Sequence, residues 1–219
     1  MKPLSATFAF WLSQTILVPF IIGLVRYRRI GKMYRPFFYL LVIGVLAEFL
    51  SRYLIHVAHV PNAIPSNCFV LLEWILVCWQ FHVWGLHARK EVFMAILLLP
   101  VAIWITENLV FGNIVRFSPY FRVFDGFLIV MLSVNKINFM ITHDDRRLYG
   151  NAIFLICIGL IIFFIYRIIL EWAYQTSLNG ATGTTNTIIM LDAWVNALTN
   201  IIFALALLRL PRPRKFTLR

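Results

Sequence analysis

The chain of 219 residues is 61% hydrophobic and only 13% charged, whereas a soluble domain averages about 45–50% apolar and about 25% charged residues. A soluble protein of this size cannot bury so much apolar surface, so the composition excludes a soluble fold and predicts a protein that lies in lipid. The net charge of +11 would point to nucleic acid only if the basic residues formed one patch. The three cysteines, Cys68, Cys78 and Cys157, are dispersed among apolar segments, which is not typical of a disulfide framework or a metal site.

Seven mostly apolar segments are each long enough to cross about 30 Å of hydrocarbon as an α-helix. The first ends in the basic sequence RYRR without a small-residue cleavage site, so we interpret it as a membrane helix rather than a signal peptide. Turn residues separate the segments, for example HVPNAIPSN at 59–67 and SLNGATGTTN at 177–186. The predicted fold is an all-α polytopic bundle of seven transmembrane helices in a single domain, 1–219. Numbered in chain order, the predicted helices cover about residues 6–25, 36–57, 66–86, 92–111, 119–140, 150–174 and 186–208.

The basic residues predict how these helices are oriented. Fifteen of the 20 basic residues lie in or beside the first, third and fifth loops and the C-terminal tail, which all fall on one side of the membrane. Only Lys2 and Arg116 lie on the other side. By the positive-inside rule, the N-terminus is therefore outside and the C-terminus is cytoplasmic. This distribution excludes a nucleic-acid surface and predicts a multi-pass protein of the inner (plasma) membrane whose cytoplasmic face contacts anionic lipid headgroups.

Charged residues inside the predicted helices are the main functional signal. Six of the nine acidic residues and three arginines fall within the spans, all in the half nearer the predicted outer surface. A charge at the bilayer centre costs from about 2.5 to more than about 10 kcal/mol, so these side chains are expected to face one another or water. We therefore predict a polar cavity that opens to the outside. The nine charges are Glu48, Arg52, Glu73, Glu107, Arg122, Asp125, Arg167, Glu171 and Asp192.

Local ion pairs are available to some of these charges, because residues three or four apart lie on one helical face. Glu73, Glu107 and Asp192 have no such partner, and each is expected to be protonated, to bridge to another helix or to bind a cation. The predicted local pairs are Glu48 with Arg52, Arg122 with Asp125, and Arg167 with Glu171.

We expect the charged cluster to bind a small polar or cationic ligand. The alternative is that the charges are structural and hold helices in register, which is the commoner role of a single pair. Nine charges at one depth, with an excess of carboxylates, favour a binding pocket, although Glu107 and Arg122 lie close enough to the interface to extend towards water. The predicted ligand-binding residues are Glu48, Arg52, Glu73, Asp125, Arg167, Glu171, Asp192 and Asn196.

Polar residues at helical spacing extend the predicted pocket along two helices. Hydrogen bonding between helices is the alternative role of the amide side chains. Trp74, Trp104 and Trp172 either line the pocket, pack between helices or belong to the interfacial aromatic belt. The polar residues are Asp192, Asn196, Thr199 and Asn200 on helix 7, and Glu73 and Gln80 on helix 3.

A faint internal repeat links the two ends of the chain. NCFVLLE at 67–73 is similar to NTIIMLD at 186–192, at an offset of 119 residues. At the same offset Glu48 aligns with Arg167 and Arg52 with Glu171, so the ion pair recurs with its polarity reversed. The pattern fits a 3+1+3 duplication of helices 1–3 and 5–7, with chance similarity of apolar helices as the alternative. A duplication would place the site on a pseudo-two-fold axis along the membrane normal, as in some transporters.

Three short motifs carry a resemblance to a known group. They are AEFLSRYL in helix 2, NCFVLLEW at the start of helix 3 and LDAWVNALTNIIFALAL in helix 7. In these motifs the chain resembles a broad group of small seven-helix membrane proteins of Bacteroidota-type bacteria. The resemblance implies the fold but brings no activity with it.

Three functions fit these observations. The leading hypothesis is a receptor-like or sensory protein with an outward-facing charged pocket, whose basic loops or tail contact a protein partner in the cytoplasm. The alternatives are a transporter for a small solute or ions, which the repeat and the helix 7 stripe favour, and a scaffold subunit whose charges contact another membrane protein. An enzyme is least favoured because no nucleophile–base set or metal cluster is visible, and no cofactor is expected.

Overall fold

The computed structural model describes residues 11–86, 90–112, 114–143, 148–177 and 182–211. This part of the chain is 87% helix and contains no strand, which confirms the predicted all-α class. The main helices, in chain order, are α1 Leu17–Val25, α2 Arg35–His56, α3 Ala63–Val83, α4 Lys90–Ile105, α5 Pro119–His143, α6 Ala152–Ser177 and α7 Thr182–Leu208.

Six of the helices, α2 to α7, include stretches long and apolar enough to cross a membrane. Large apolar side chains such as Phe49, Phe127 and Ile169 remain exposed on their outer faces, where acyl chains rather than water would surround them. The chain is thus a multi-pass membrane protein by the length and composition of its helices.

The N-terminal helix is shorter than predicted within the described residues. It is apolar and helical over Trp11–Val25, and residues 6–10 of the predicted first span lie outside the described part. A 3₁₀ turn, Gln14–Ile16, precedes α1. Pro19 explains this turn, because proline lacks the N–H that would bond to the carbonyl of residue 15 and its ring crowds that carbonyl.

Helix boundaries differ from the prediction at two of the connections between helices. α3 begins at Ala63, so the second half of the HVPNAIPSN stretch is helical rather than loop. Pro65 is tolerated there because it lies in the first turn, where backbone N–H groups have no acceptor within the helix. The joint predicted at 177–186 is also shorter, since α6 continues to Ser177 and α7 begins at Thr182.

The helices that surround the interior form a closed ring. α1 packs against α2 and α7, α2 against α3, α3 against α5, α5 against α6, and α6 against α7. α4 lies outside this ring, where it packs against α3 and α5. The two runs of three consecutive helices, α1–α3 and α5–α7, therefore occupy opposite halves of the ring.

A π-helical turn, Thr106–Val110, continues α4 where an α-helix was predicted. It buries Asn108 next to Asn67, an asparagine in the first turns of α3 that is itself fully buried. Asn67 Nδ2 donates hydrogen bonds to Asn108 Oδ1 at 3.1 Å and to the carbonyl of Arg116 at 2.7 Å. Its Oδ1 accepts from the N–H of Ser118 at 3.3 Å, and Trp104 Nε1 donates to its carbonyl at 2.9 Å. Asn67 therefore joins α3, α4 and the segment before α5.

Candidate functional site

A chamber of about 670 Å³ lies inside the ring. Its charged residues lie towards the C-terminal ends of α2 and α6 and the N-terminal ends of α3 and α7, and its lining extends past the middle of the bundle to Leu41 and Phe203. Residues of α2, α3, α5, α6 and α7 and of the turn before α1 line it, and no described residue of α4 does. Its charged lining residues are Glu48, Glu73, Arg122, Arg167, Glu171 and Asp192.

The tightest ion pair of the chamber joins α6 to α3. Arg167 Nη1 donates to Glu73 Oε2 at 2.6 Å, and the two side chains are only 13% and 8% exposed. The guanidinium also lies 5.9 Å and 5.6 Å from the ring centroids of Phe163 and Phe164. The prediction that Arg167 pairs with Glu171 is therefore wrong, because α3 brings Glu73 closer than the next turn of α6 brings its own carboxylate.

A second pair joins α5 to α6. Arg122 Nη1 lies 3.5 Å from Glu171 Oε1, and Arg122 Nη2 donates to Ser66 Oγ of α3 at 2.7 Å. The predicted pairing of Arg122 with Asp125 is also wrong. Arg122 is 8% exposed and lines the chamber, although its place near the end of a predicted helix had favoured extension towards water. Its contacts come from α3 and α6, which the sequence of α5 does not reveal.

The third pair is the predicted one within α2. Arg52 Nε and Nη2 both donate to Glu48 Oε1, at 2.9 and 2.6 Å, which confirms this local pairing. Arg52 Nη2 also donates to Ser13 Oγ, and an amide orientation that turns Gln14 Oε1 towards the guanidinium places the two 2.6 Å apart. Glu48 lines the chamber and Arg52 does not. Arg52 instead ties α2 to the segment before α1.

Asp125 lies behind the chamber wall. It has no exposed surface, and neither of its carboxyl oxygens has a hydrogen-bond partner within the described residues. It interacts electrostatically with the nearby Arg167 and Glu73. The structure therefore places Asp125 beside the charged cluster but outside the lining of the cavity in which it was predicted.

The polar face of α7 lines the chamber from Asp192 to Asn200. Asp192 is exposed, and within the described part of the chain it forms no hydrogen bond or ion pair. Asn200 Nδ2 donates to Asn196 Oδ1 at 3.1 Å and to Thr15 Oγ1 at 3.0 Å. Thr199 is 2% exposed and its hydroxyl has no partner in the described residues. This face thus offers an unpaired carboxylate to the chamber and holds an enclosed, unpaired hydroxyl beneath the chamber surface.

Six of the eight residues predicted to bind a ligand therefore meet at one chamber, and their binding role stays a prediction. Two, Arg52 and Asp125, lie outside its lining. The polar stripe predicted on α3 does not continue along the chamber, because Gln80 binds the start of α2. Its Oε1 accepts from the N–H of Phe37 at 2.8 Å and its Nε2 donates to the carbonyl of Met33 at 2.6 Å.

Glu107 and two tryptophans also have structural contacts outside the chamber. Glu107 accepts hydrogen bonds from the N–H groups of Tyr120 and Phe121 at 3.2 and 2.7 Å. It therefore provides acceptors for backbone N–H groups in the first turn of α5, as a capping carboxylate would. Trp74 Nε1 donates to the carbonyl of Leu97 at 3.1 Å and Trp104 Nε1 to that of Asn67. Both indoles thus hold α3 against α4.

Apolar side chains close the end of the chamber nearer the start of α2. Phe203, Leu41 and Leu160 line it there, and the Phe203 ring packs edge-on against Phe37, with centroids 5.0 Å apart. A Cβ added at Gly159 would lie 2.5 Å from Phe203 Cε1. Only glycine lets α6 approach α7 this closely.

Gly159→Ala is expected to force Phe203 out of its position and to destabilise the protein by about 1–3 kcal/mol through overpacking. Equilibrium unfolding of the purified protein in mixed micelles measures this loss. Gly150→Ala is the matched control, because its Cβ would meet nothing within 4 Å. Equal stability of the two variants would contradict close packing of Phe203 on Gly159.

The fold and the site together define a multi-pass helical membrane protein with a charged chamber inside a ring of helices. No family model, curated protein or solved structure matches the chain. The functional proposal is therefore argued from the geometry of the chamber.

Proposed function

We propose that the chain is a receptor-like or sensory protein that binds a small polar or cationic ligand in a chamber open to the extracytoplasmic side. The observation that carries the proposal is the chamber itself, in which charged side chains from five helices meet inside an apolar bundle. Its volume of about 670 Å³ falls within the range of about 300–1,000 Å³ that small-molecule sites occupy. Ion pairs that only hold helices together do not require a cavity of this size between the helices.

The proposed topology has seven spans, with the N-terminus outside. The residues before Trp11 would lengthen the N-terminal helix to a full span. The basic residues cluster beside the start of α2 and the end of α7, which makes that side cytoplasmic by the positive-inside rule and favours contact with anionic headgroups of the inner membrane. The charged end of the chamber then lies in the outer half of the bundle.

The apolar side chains that close one end of the chamber favour a receptor over a transporter. Phe203 and Phe37 pack together below the chamber, where Leu207 and Ile156 are also fully buried. A solute that reached the chamber from outside would meet this packed layer rather than a polar path. Binding would be transmitted to the basic cytoplasmic loops or tail and to a protein partner there.

A small-solute or ion transporter is the second candidate. The order of helices in the ring supports it, since a rotation that carries α1, α2 and α3 onto α5, α6 and α7 preserves that order, as a 3+1+3 duplication requires. Accumulation of radiolabelled tetraethylammonium in proteoliposomes, abolished by Glu73→Gln, would favour transport. Binding without accumulation would favour the receptor.

Labelling of Cys68 tests where the chamber opens. Cys68 is an exposed thiol in the chamber lining, whereas Cys78 and Cys157 are buried. A membrane-impermeant methanethiosulfonate reagent added outside intact cells is expected to label the wild-type protein, and Cys68→Ser should abolish the labelling. Mass spectrometry of the purified protein measures the modification.

The matched control for Cys68 is Thr142→Cys in the Cys68→Ser background. Thr142 is an exposed residue near the end of α5, on the proposed cytoplasmic side. It should be labelled only after the membrane is permeabilised. Labelling of Cys68 only after permeabilisation would reverse the topology, and no labelling under either condition would refute an open chamber.

A further inference from the structure

The charges around the chamber do not balance. Five carboxylates and three guanidiniums form the cluster, and the three ion pairs account for only three of the acids. Of the other two, Asp125 is fully buried behind the wall, whereas Asp192 is exposed in the chamber. The cluster therefore has two more acidic than basic groups, which favours a cation in the chamber.

Glu48 and Asp192 both present unengaged carboxylate oxygens to the chamber. Arg52 binds Glu48 through Oε1 alone, and Glu48 Oε2 has no partner among the residues that the structure describes. Asp192 interacts electrostatically with Glu48 and Glu171, which repel it, and with Arg167, which attracts it. Two like charges thus face one chamber without a guanidinium shared between them, an unfavourable arrangement unless another cation joins them.

The repeat shows how this arrangement differs from its counterpart. At the offset of 119 residues, Arg167 corresponds to Glu48 and Glu73 to Asp192. In one half, the arginine of α6 binds the glutamate of α3 at 2.6 Å. In the other half, α2 carries a carboxylate at the position of that arginine, and this carboxylate lines the same chamber as the aspartate of α7. The second half therefore has acids where the first half has an ion pair.

Thr199 provides an independent sign of a ligand. Its side chain is 98% buried and lines the chamber, yet its hydroxyl has no partner in the described part of the protein. It lies on the same face of α7 as Asp192, about two turns or roughly 10 Å further along the helix. A buried hydroxyl without a partner costs about 1–3 kcal/mol, which a rotation of this side chain towards a polar group on a ligand would remove.

The remaining wall of the chamber is mainly apolar. Leu40, Phe69, Leu72 and Phe163 lie in the lining together with the charged residues. A bare metal ion would use none of this surface and requires about six to eight oxygen ligands if it is Ca²⁺. An organic ammonium ion uses both parts, because its N–H groups donate charge-assisted hydrogen bonds to carboxylates while its carbon skeleton covers apolar side chains.

We propose that Glu48 and Asp192 form the subsite for the ammonium group of an amphipathic organic amine, whose apolar body packs against the aromatic and aliphatic wall. The inference rests on the proposed ligand-binding function and names the chemical class of the ligand. Thr199 binds a polar substituent deeper in the chamber, beside Asn196 and Asn200.

Isothermal titration of the full chain in detergent with 2-phenylethylammonium chloride tests the inference. The neutral isostere 2-phenylethanol is titrated in parallel, because it partitions into micelles and apolar pockets without a positive charge. The amine should bind at least about tenfold more tightly than the alcohol, a difference of about 1.4 kcal/mol. Asp192→Asn and Glu48→Gln should each weaken amine binding by at least about tenfold.

The double variant Glu48→Arg/Arg52→Glu is the sharpest test. It keeps the total charge and a local ion pair on α2. The arginine now precedes the glutamate along the helix, as Arg167 precedes Glu171 on α6. The new guanidinium should bind Asp192 as Arg167 binds Glu73, so amine binding should be lost while the protein remains folded by circular dichroism. Glu91→Gln, an exposed carboxylate at the start of α4, is the matched control and should bind the amine as the wild type does.

Three results would overturn the amine subsite. These are equal affinity for amine and alcohol, unchanged amine affinity in Asp192→Asn and Glu48→Gln, and amine binding by the charge-swapped variant. If titration with sodium chloride gives a heat of binding as large as that of the amine, the subsite binds inorganic cations, and the proposed amine subsite is overturned as well. External labelling of Cys68 without amine binding would refute this inference alone, whereas failure of the labelling would refute the open chamber on which both proposals rest.

Discussion

Arg167→Met is expected to destabilise the protein by about 3–5 kcal/mol, because removal of one member of a buried ion pair leaves an uncompensated charge. Among the described residues only Arg167 bonds to Glu73, at 2.6 Å, and without it the carboxylate would remain 8% exposed inside the bundle. Arg167 also attracts Asp125 and Glu171, so its loss leaves three acids in one region with less positive charge. Equilibrium unfolding in mixed micelles measures the change in the free energy of unfolding.

A double-mutant cycle separates the ion pair from the packing of the arginine side chain. Arg167→Met combined with Glu73→Gln should be more stable than the sum of the single changes predicts, since neither charge is then left unpaired. Arg28→Met, at an exposed arginine, should change stability by less than about 0.5 kcal/mol. Additive losses in the cycle would show that the two charges do not stabilise each other.

Asn67→Ala is expected to destabilise the protein by about 3 kcal/mol or more, because groups on two other segments lose their hydrogen bonds to its side chain together. The Asn108 amide oxygen, the carbonyl of Arg116 and the N–H of Ser118 all bond to the Asn67 side chain. The loss should loosen the contact between the π-helical turn and the start of α5. Hydrogen exchange at Ser118 and at the first residues of α5 should therefore rise along with the fall in the unfolding free energy.

Asn62→Ala is the matched control for the Asn67 variant. The two asparagines lie five residues apart, but the Asn62 side chain makes its hydrogen bond to Ser51 Oγ at 2.6 Å and is only half-buried. It makes no capping bond to α3. A loss of less than about 1 kcal/mol is expected for Asn62→Ala. A similar loss for both variants would refute the role of Asn67 as the link between the three segments.

Spacing along single helices predicted one of the three local ion pairs correctly and did not identify the ion pairs between helices. Glu48 and Arg52 pair as their spacing predicts, because residues four apart are neighbours on any α-helix. Arg167 and Glu171 have the same spacing and do not pair, because α3 and α5 supply Glu73 and Arg122. The spacing of charges along a helix carries no information on which helices are its neighbours.

The sequence also predicted that polar residues extend the pocket further along α3 than they do in the structure. Gln80 shares a helical face with Glu73, but the start of α2 packs against it and supplies its hydrogen-bond partners. Glu107 was expected to bridge to another helix, to be protonated or to bind a cation. It bridges to another helix, since it accepts two backbone N–H groups at the start of α5. This role depends on the π-helical turn, which no sequence pattern predicted.

The sequence by itself determined that the chain is helical and apolar enough to lie in a membrane, because long apolar runs in lipid have to satisfy their own backbone hydrogen bonds. It also determined that charges are concentrated at one level of the helices. Only the tertiary structure decided which charges pair, that Arg122 lines the chamber while Arg52 and Asp125 do not, and that Asp192 and Glu48 line the same chamber. The physical reason is that packing against neighbouring helices sets the rotation and the contacts of each helix. Apolar side chains drive this packing by the area that they bury, which does not depend on direction.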